Sequence, residues 1–175
     1  IVMWNFDTHI EKKEYKSNGG ISKKFGLSEY WLKIYAKGEE SAINLSNLMR
    51  IELKIVSTRI LRKLKISTLA DISPDAFESL FKRFIHEYDK LLIIDSIKPS
   101  NSLEFHEMAY FVEYTKYETW NKNKKTKSPY QRKKDEKILR GLINQSNYNS
   151  IQTALKELIC EKYIQLISME KHLHN

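Results

Sequence analysis

One cysteine, three prolines and five glycines in 175 residues rule out several kinds of protein at once. The lone Cys160 excludes a disulfide within the chain and fits a cytoplasmic setting. It lies in the apolar pattern of a late helix with Leu155, Leu158 and Ile159, where a buried, inert thiol is expected. So little glycine and proline, beside 41% hydrophobic and 11% aromatic residues, excludes collagen-like and disordered chains and predicts a regular fold with a real core. No apolar run approaches the ~20 residues that a membrane span needs, so no membrane partner is expected. The chain opens on Ile1 without a charged-then-apolar leader and is expected to be a fragment of a longer protein.

Acidic residues are the other shortage. Thirty Lys and Arg stand against 22 Asp and Glu, a net charge of +8, which favours an anionic partner such as nucleic acid. The excess is local: from Lys116 to Arg140, ten basic residues meet three acidic ones.

Hydrophobic periodicity organises the rest. "IVMWNF" at the start is β-prone, and "SNGG" at 17–20 reads as a turn. From Glu29 to Lys37 the chain alternates, with Leu32, Ile34 and Ala36 on one face and Lys33, Tyr35 and Lys37 on the other. A loop follows from Gly38. "LMRIELKI" then alternates again, with Met49, Ile51, Leu53 and Ile55 inward and Arg50, Glu52 and Lys54 outward. Two strands joined by about ten residues pair most simply as an antiparallel hairpin, which would place Tyr35 and Glu52 on one surface.

Beyond Ser57 the period becomes helical. "TRILRKLK" makes a short basic helix, and Ser73 with Pro74 opens another through Phe77, Leu80, Phe81, Phe84 and Ile85 that should pack on the sheet. "LLIID" at 91–95 is a short buried run, and "KPSNS" at 98–102 is the best linker. Further helices are predicted from Ser102 to about Trp120, from Ser128 with Pro129 through Leu142, and from Ser150 to about Ile167. The expected architecture is α+β: an antiparallel sheet with packed helices over residues 1–98, then a basic helical module over 99–175.

A tyrosine hydroxyl, with an ordinary pKa of about 10, is a poor nucleophile unless cations favour the phenolate or a base takes its proton. Lys33 and Lys37 flank Tyr35 and would lower that value, and could also neutralise a phosphodiester oxygen. A facing carboxylate could hold a divalent metal against the same phosphate. Lys, Tyr and Glu are equally the ordinary occupants of an exposed strand face, and spacing alone does not choose between the two.

"LKIYAKGEE", a loop, "LMRIELKI" and "STRILRKLKISTLADI" together resemble the consecutive signature of rolling-circle replication initiators of the filamentous-phage gene II type and their plasmid relatives. The match covers roughly residues 30–72, with Ala36 where that pattern has Asp. The resemblance implies a sheet-based nicking domain, here its C-terminal portion, that cleaves one DNA strand through a tyrosine and rejoins it. It implies that Tyr35 is the nucleophile, that Lys37 orients the scissile phosphate, that Arg50 contacts phosphate or supports the strand, and that Glu52 holds Mg2+ or Mn2+. Glu39 and Glu40 are further candidate ligands beside the solvated reading of a loop entrance. Origin DNA, single-stranded or distorted, is the implied partner, with host replication proteins as possible others. A non-catalytic DNA-binding replication or transfer regulator with the same fold is the alternative.

In the basic segment, Lys122, Lys124, Lys125, Lys127, Arg132, Lys133 and Lys134 are candidate phosphate contacts, as is Lys33 on the sheet. Trp120 and Tyr130 are candidate stacking platforms for bases. A solvated charged loop is the competing reading. His9 beside Asp7 could join a metal site, although a surface histidine is the simpler expectation.

Overall fold

A computed structural model describes residues 2–4, 13–17, 20–26, 29–36, 49–95 and 102–173. They form a mixed α and β protein with two antiparallel sheets. The strands are β1 (Val2–Trp4), β2 (Lys13–Ser17), β3 (Gly20–Gly26), β4 (Tyr30–Ala36), β5 (Met49–Ile55) and β6 (Leu91–Ile93). The helices are α1 (Thr58–Lys63), α2 (Pro74–Asp89), α3 (Phe105–Tyr114), α4 (Tyr117–Thr126), α5 (Pro129–Gln145) and α6 (Ser150–Leu173). No helix among the described residues is long and apolar enough to cross a membrane.

Two compact units share the chain: His9–Tyr88 is one, and Ile1–Thr8 with Asp89–Asn175 is the other. The division falls before the predicted linker at 98–102, of which residues 98–101 lie outside the described residues. The reason is β6. It pairs with β1, Leu92 opposite Met3, and the same Leu92, with Ile94 just beyond the strand, joins the helical core with Phe111, Trp120, Leu139 and Ile143. A strand whose apolar side chains are consumed by helices belongs to the helical unit.

In the first unit, β2, β3, β4 and β5 lie in chain order in one antiparallel sheet. β4 and β5 arise from strict alternation, and their register sets Leu32 opposite Leu53 and Ile34 opposite Ile51. Leu32 is fully buried and Ile34 nearly so. β2 and β3, which sequence periodicity did not reveal, flank the predicted turn with Ser17 opposite Gly20.

Helix α2 begins as expected, with the Ser73 Oγ accepting from the Ala76 N–H at 3.2 Å. It carries Glu87 to a position with no solvent exposure. Arg83 answers that charge, its Nε 3.5 Å from the carboxylate and its guanidinium 4.8 Å from the Tyr30 ring centre. The Tyr30 hydroxyl is pushed up to about 12, by burial first and next by its hydrogen bond with Glu87. A folded value above the ordinary one of about 10 means a contribution to stability that is whole below that pH and is lost as pH climbs through the folded value. Tyr30→Phe is therefore expected to flatten the alkaline limb of a denaturation-midpoint profile above pH ~10. An unchanged limb would show that the hydroxyl is not held in this way.

In the second unit, the helix predicted over 102–120 is two helices. α3 ends at Tyr114, and the Trp120 indole folds back to donate from Nε1 to the Tyr114 carbonyl at 2.7 Å. Thr115 donates its hydroxyl to the Val112 carbonyl at 2.9 Å, and the chain restarts as α4. The segment after Trp120 is consequently helical instead of a charged loop. α5 begins with a reciprocal cap, in which the Ser128 hydroxyl accepts from the Gln131 N–H and the Gln131 side chain accepts from the Ser128 N–H. Asp95 accepts from the Ser150 hydroxyl and the Ile151 N–H and so caps α6. Cys160 on α6 is half-buried and free; the expected full burial is not reached.

Candidate functional site

Alternation along β4 and β5 puts Lys33, Tyr35, Arg50 and Glu52 on one face of the four-stranded sheet. Lys33 lies opposite Glu52 and Tyr35 opposite Arg50. Tyr35 thus reaches Glu52 on the diagonal, a spacing that long side chains span readily. Its hydroxyl donates to Glu52 Oε1 at 2.7 Å. Arg50 Nη1 donates to the same hydroxyl at 3.3 Å and to the same carboxylate oxygen at 3.2 Å. The Lys33 ammonium stands 5.1 Å from the ring centre. Two polar groups, Glu52 and Arg50, therefore converge on one phenolic oxygen, with the Lys33 and Arg50 cations beside the ring.

The electrostatics differ from the sequence expectation in sign. Flanking cations were expected to lower the Tyr35 pKa; instead it is raised, by burial first and then by the hydrogen bond to Glu52, with Arg50 opposing. The physical reason is that Tyr35 is only 9% exposed and its hydroxyl faces an anion. Glu52 moves the other way. Its carboxyl is held below the ordinary value, chiefly by the Tyr35 hydroxyl and further by Arg50 and Lys33, with burial opposing. The resting arrangement is a neutral phenol hydrogen-bonded to a carboxylate, which stands in reach of its proton although the lowered pKa makes it a weak base.

Among the described residues no group of three His, Cys, Asp or Glu side chains could hold a metal ion. Glu52 is a single carboxylate whose Oε1 is already engaged by a guanidinium 3.2 Å away, and a cation there disfavours a second one. The described residues do not by themselves fit a Mg2+ or Mn2+ centre. Lys37, Glu39, Glu40, Asp7 and His9 lie outside the described residues.

No family model, curated protein or solved structure matches this chain. The candidate site therefore rests on its own geometry and on the resemblance of its signature residues.

The basic segment is sorted by burial. Trp120, expected as a stacking platform, is 1% exposed at the centre of the helical core, with its ring edge-on to Tyr114 at 5.4 Å. It is a core residue, because its indole N–H has a backbone partner and its rings fill the space that splits α3 from α4. Lys127 is half-buried and already engaged. Its ammonium donates to Tyr114 Oη at 2.7 Å and to Asp135 Oδ2 at 2.8 Å, and both contacts raise its pKa, Asp135 the more. Arg132 donates to the Lys127 carbonyl at 2.8 Å and supports the turn between α4 and α5. Lys124 is half-buried. Lys122, Lys125, Lys133, Lys134 and the 79%-exposed Tyr130 remain on the outside. Lys137 joins them and was missed, although its position three residues after Lys134 on a helix was the available signal.

Proposed function

We propose that this protein initiates rolling-circle replication by nicking and rejoining one DNA strand through a covalent link to Tyr35. The observation that carries the reading is the convergence of Glu52 and Arg50 on the Tyr35 hydroxyl within one sheet face, on residues that bear the initiator-like signature. In the forward step the tyrosine oxygen attacks phosphorus as its proton passes to an acceptor. The bond from phosphorus to the 3′ oxygen breaks, that oxygen takes up a proton, and the 5′ phosphate stays on the tyrosine. Glu52 is the acceptor in reach, Arg50 supplies positive charge at the oxygen, and Lys33 adds a cation beside the ring. Rejoining reverses each transfer. A dependence on Mg2+ or Mn2+ belongs to this reading, but no step is assigned to the ion, since Glu52 alone does not make a metal centre.

The test is a covalent adduct. The full chain, with Mg2+ or Mn2+ and a randomised pool of labelled single-stranded DNA, is expected to yield a protein–DNA band that survives boiling in detergent and maps to the Tyr35 peptide. No band with any strand of the pool would remove the proposal. A specific observation favours a second reading in that event. Tyr35 is nearly buried and its pKa is raised, as suits a non-catalytic DNA-binding regulator that keeps the fold.

A further inference from the structure

Helix α5 is divided in charge as well as in burial. Leu139, Leu142 and Ile143 enter the core. The two acids of the helix are consumed on its flanks: Asp135 accepts from Lys127 at 2.8 Å and from the Tyr110 hydroxyl at 3.2 Å, and Glu136 accepts from Arg140 Nε at 2.9 Å. Followed at about 100° per residue, the opposite face runs through Tyr130, Lys133, Lys134, Lys137, Ile138 and Gly141, all of them exposed. Its three lysines make no ion pair among the described residues, and no acid shares the face.

Gly141 stands on the same face. Glycine is the least favoured helix residue after proline, and a Cβ added here would meet nothing within 4 Å. Nothing inside the described chain requires a glycine at this end of the face. A partner whose backbone approaches the helix closely would require it.

We propose that this face of α5 docks on duplex DNA, with Lys133, Lys134 and Lys137 on phosphates and Gly141 at the closest approach to the sugar–phosphate backbone. The inference goes beyond strand nicking and needs nothing of Tyr35. A single strand fits the face poorly, because single-strand binders stack successive bases on aromatic rings and Tyr130 is the one aromatic on it, Trp120 being buried. Duplex RNA fits poorly because its deep, narrow major groove does not admit a helix, as that of B-form DNA does. A lipid surface would call for an apolar stripe, and this face offers Ile138 at 39% exposure between lysines.

Fluorescence anisotropy of the full chain with a labelled mixed-sequence DNA duplex tests this, with a single strand and an RNA duplex of equal length as further arms. The DNA duplex is expected to bind tightest. Lys134→Glu is expected to weaken it about tenfold and to lower the slope of log K against log salt by ~0.9, the share of one phosphate contact. Lys162→Glu on α6 changes net charge equally and is expected to have less than about a third of that effect. Gly141→Ala is expected to raise the melting temperature by about 3 °C, since helix propensity improves in open space. Gly141→Leu should stay folded and bind the duplex several-fold more weakly. Equal losses for Lys134→Glu and Lys162→Glu, undiminished binding by Gly141→Leu, or tighter binding of the single strand or of RNA would each overturn the proposal. None of these outcomes bears on the adduct assay, so the two readings fail separately.

Discussion

Tyr35→Phe is expected to abolish the covalent protein–DNA adduct while leaving the protein folded. The substitution removes one oxygen and keeps the ring, so the cations packed against that ring, Lys33 at 5.1 Å and Arg50 at 6.0 Å, keep their seat. Glu52 loses the 2.7 Å bond from the hydroxyl but retains Arg50 at 3.2 Å, which limits the cost in stability to about 1 kcal/mol. Nothing comparable limits the chemical loss, because no other group at this position can carry the phosphate. The pH dependence sharpens the prediction. With Glu52 as the acceptor, the reactive state is the neutral phenol beside the ionised carboxylate, so the rate of adduct formation in the parent should rise only as Glu52 ionises in acid and stay flat up to pH ~10, because burial and the carboxylate hold the hydroxyl above its ordinary pKa. Glu52→Gln removes the acceptor and should slow adduct formation by roughly two orders of magnitude, the usual scale of a positioned base. An adduct that persists in Tyr35→Phe, or maps to another tyrosine, would remove Tyr35 from the reaction whatever else the protein does.

Trp120→Ala should cost about 4 kcal/mol in urea denaturation. The indole is 1% exposed, packs edge-on to Tyr114, and holds the end of α3 through a 2.7 Å bond to the Tyr114 carbonyl. Its removal leaves a large cavity and an unpaired carbonyl, and the two losses combine. Tyr130→Ala is the natural comparison, since both aromatics stand among the lysines of the same segment. Tyr130 is 79% exposed, and its truncation should change stability by less than about 0.5 kcal/mol. A loss below ~1 kcal/mol for Trp120→Ala would mean that the indole does not seat in the core, and would return it to the list of surfaces that could stack on a base.

Where apolar and polar residues alternate without interruption, local reading found the elements. β4 and β5 are both of this kind, and Ser73 with Pro74 and Ser128 with Pro129 marked the starts of α2 and α5 because a hydroxyl cap and a fixed φ act locally. β2 and β3 leave no such pattern, because "KEYKS" and "GISKKFG" are lysine-rich and carry too few apolar residues to show a period. The break between α3 and α4 contains neither glycine nor proline. It follows from where the Trp120 ring must go, which is a property of the packed core.

Within the candidate site, the sharing of one face by Tyr35 and Glu52 followed from two alternating strands and a short connection. The direction in which the Tyr35 pKa moves did not follow, because flanking lysines are visible in sequence whereas burial and a diagonal carboxylate are not. The basic segment divides in the same way. Counting lysines established that an excess of charge lies between Lys116 and Arg140. Only the packed helices decided that Lys127 turns to Tyr114 and Asp135, that Arg140 reaches the carbonyls of Lys90 and Leu91, and that Lys133, Lys134 and Lys137 face out.

The sequence by itself determined composition, charge, the two alternating strands and the capped helix starts, all of them set by interactions over a few residues. The tertiary structure alone decided where the chain divides into units, which aromatic is core, and which cations are already neutralised. These depend on groups brought together across tens of residues, as Arg140 is with the carbonyls of Lys90 and Leu91 and Leu92 with Trp120, where burial and pairing reset what each group can do.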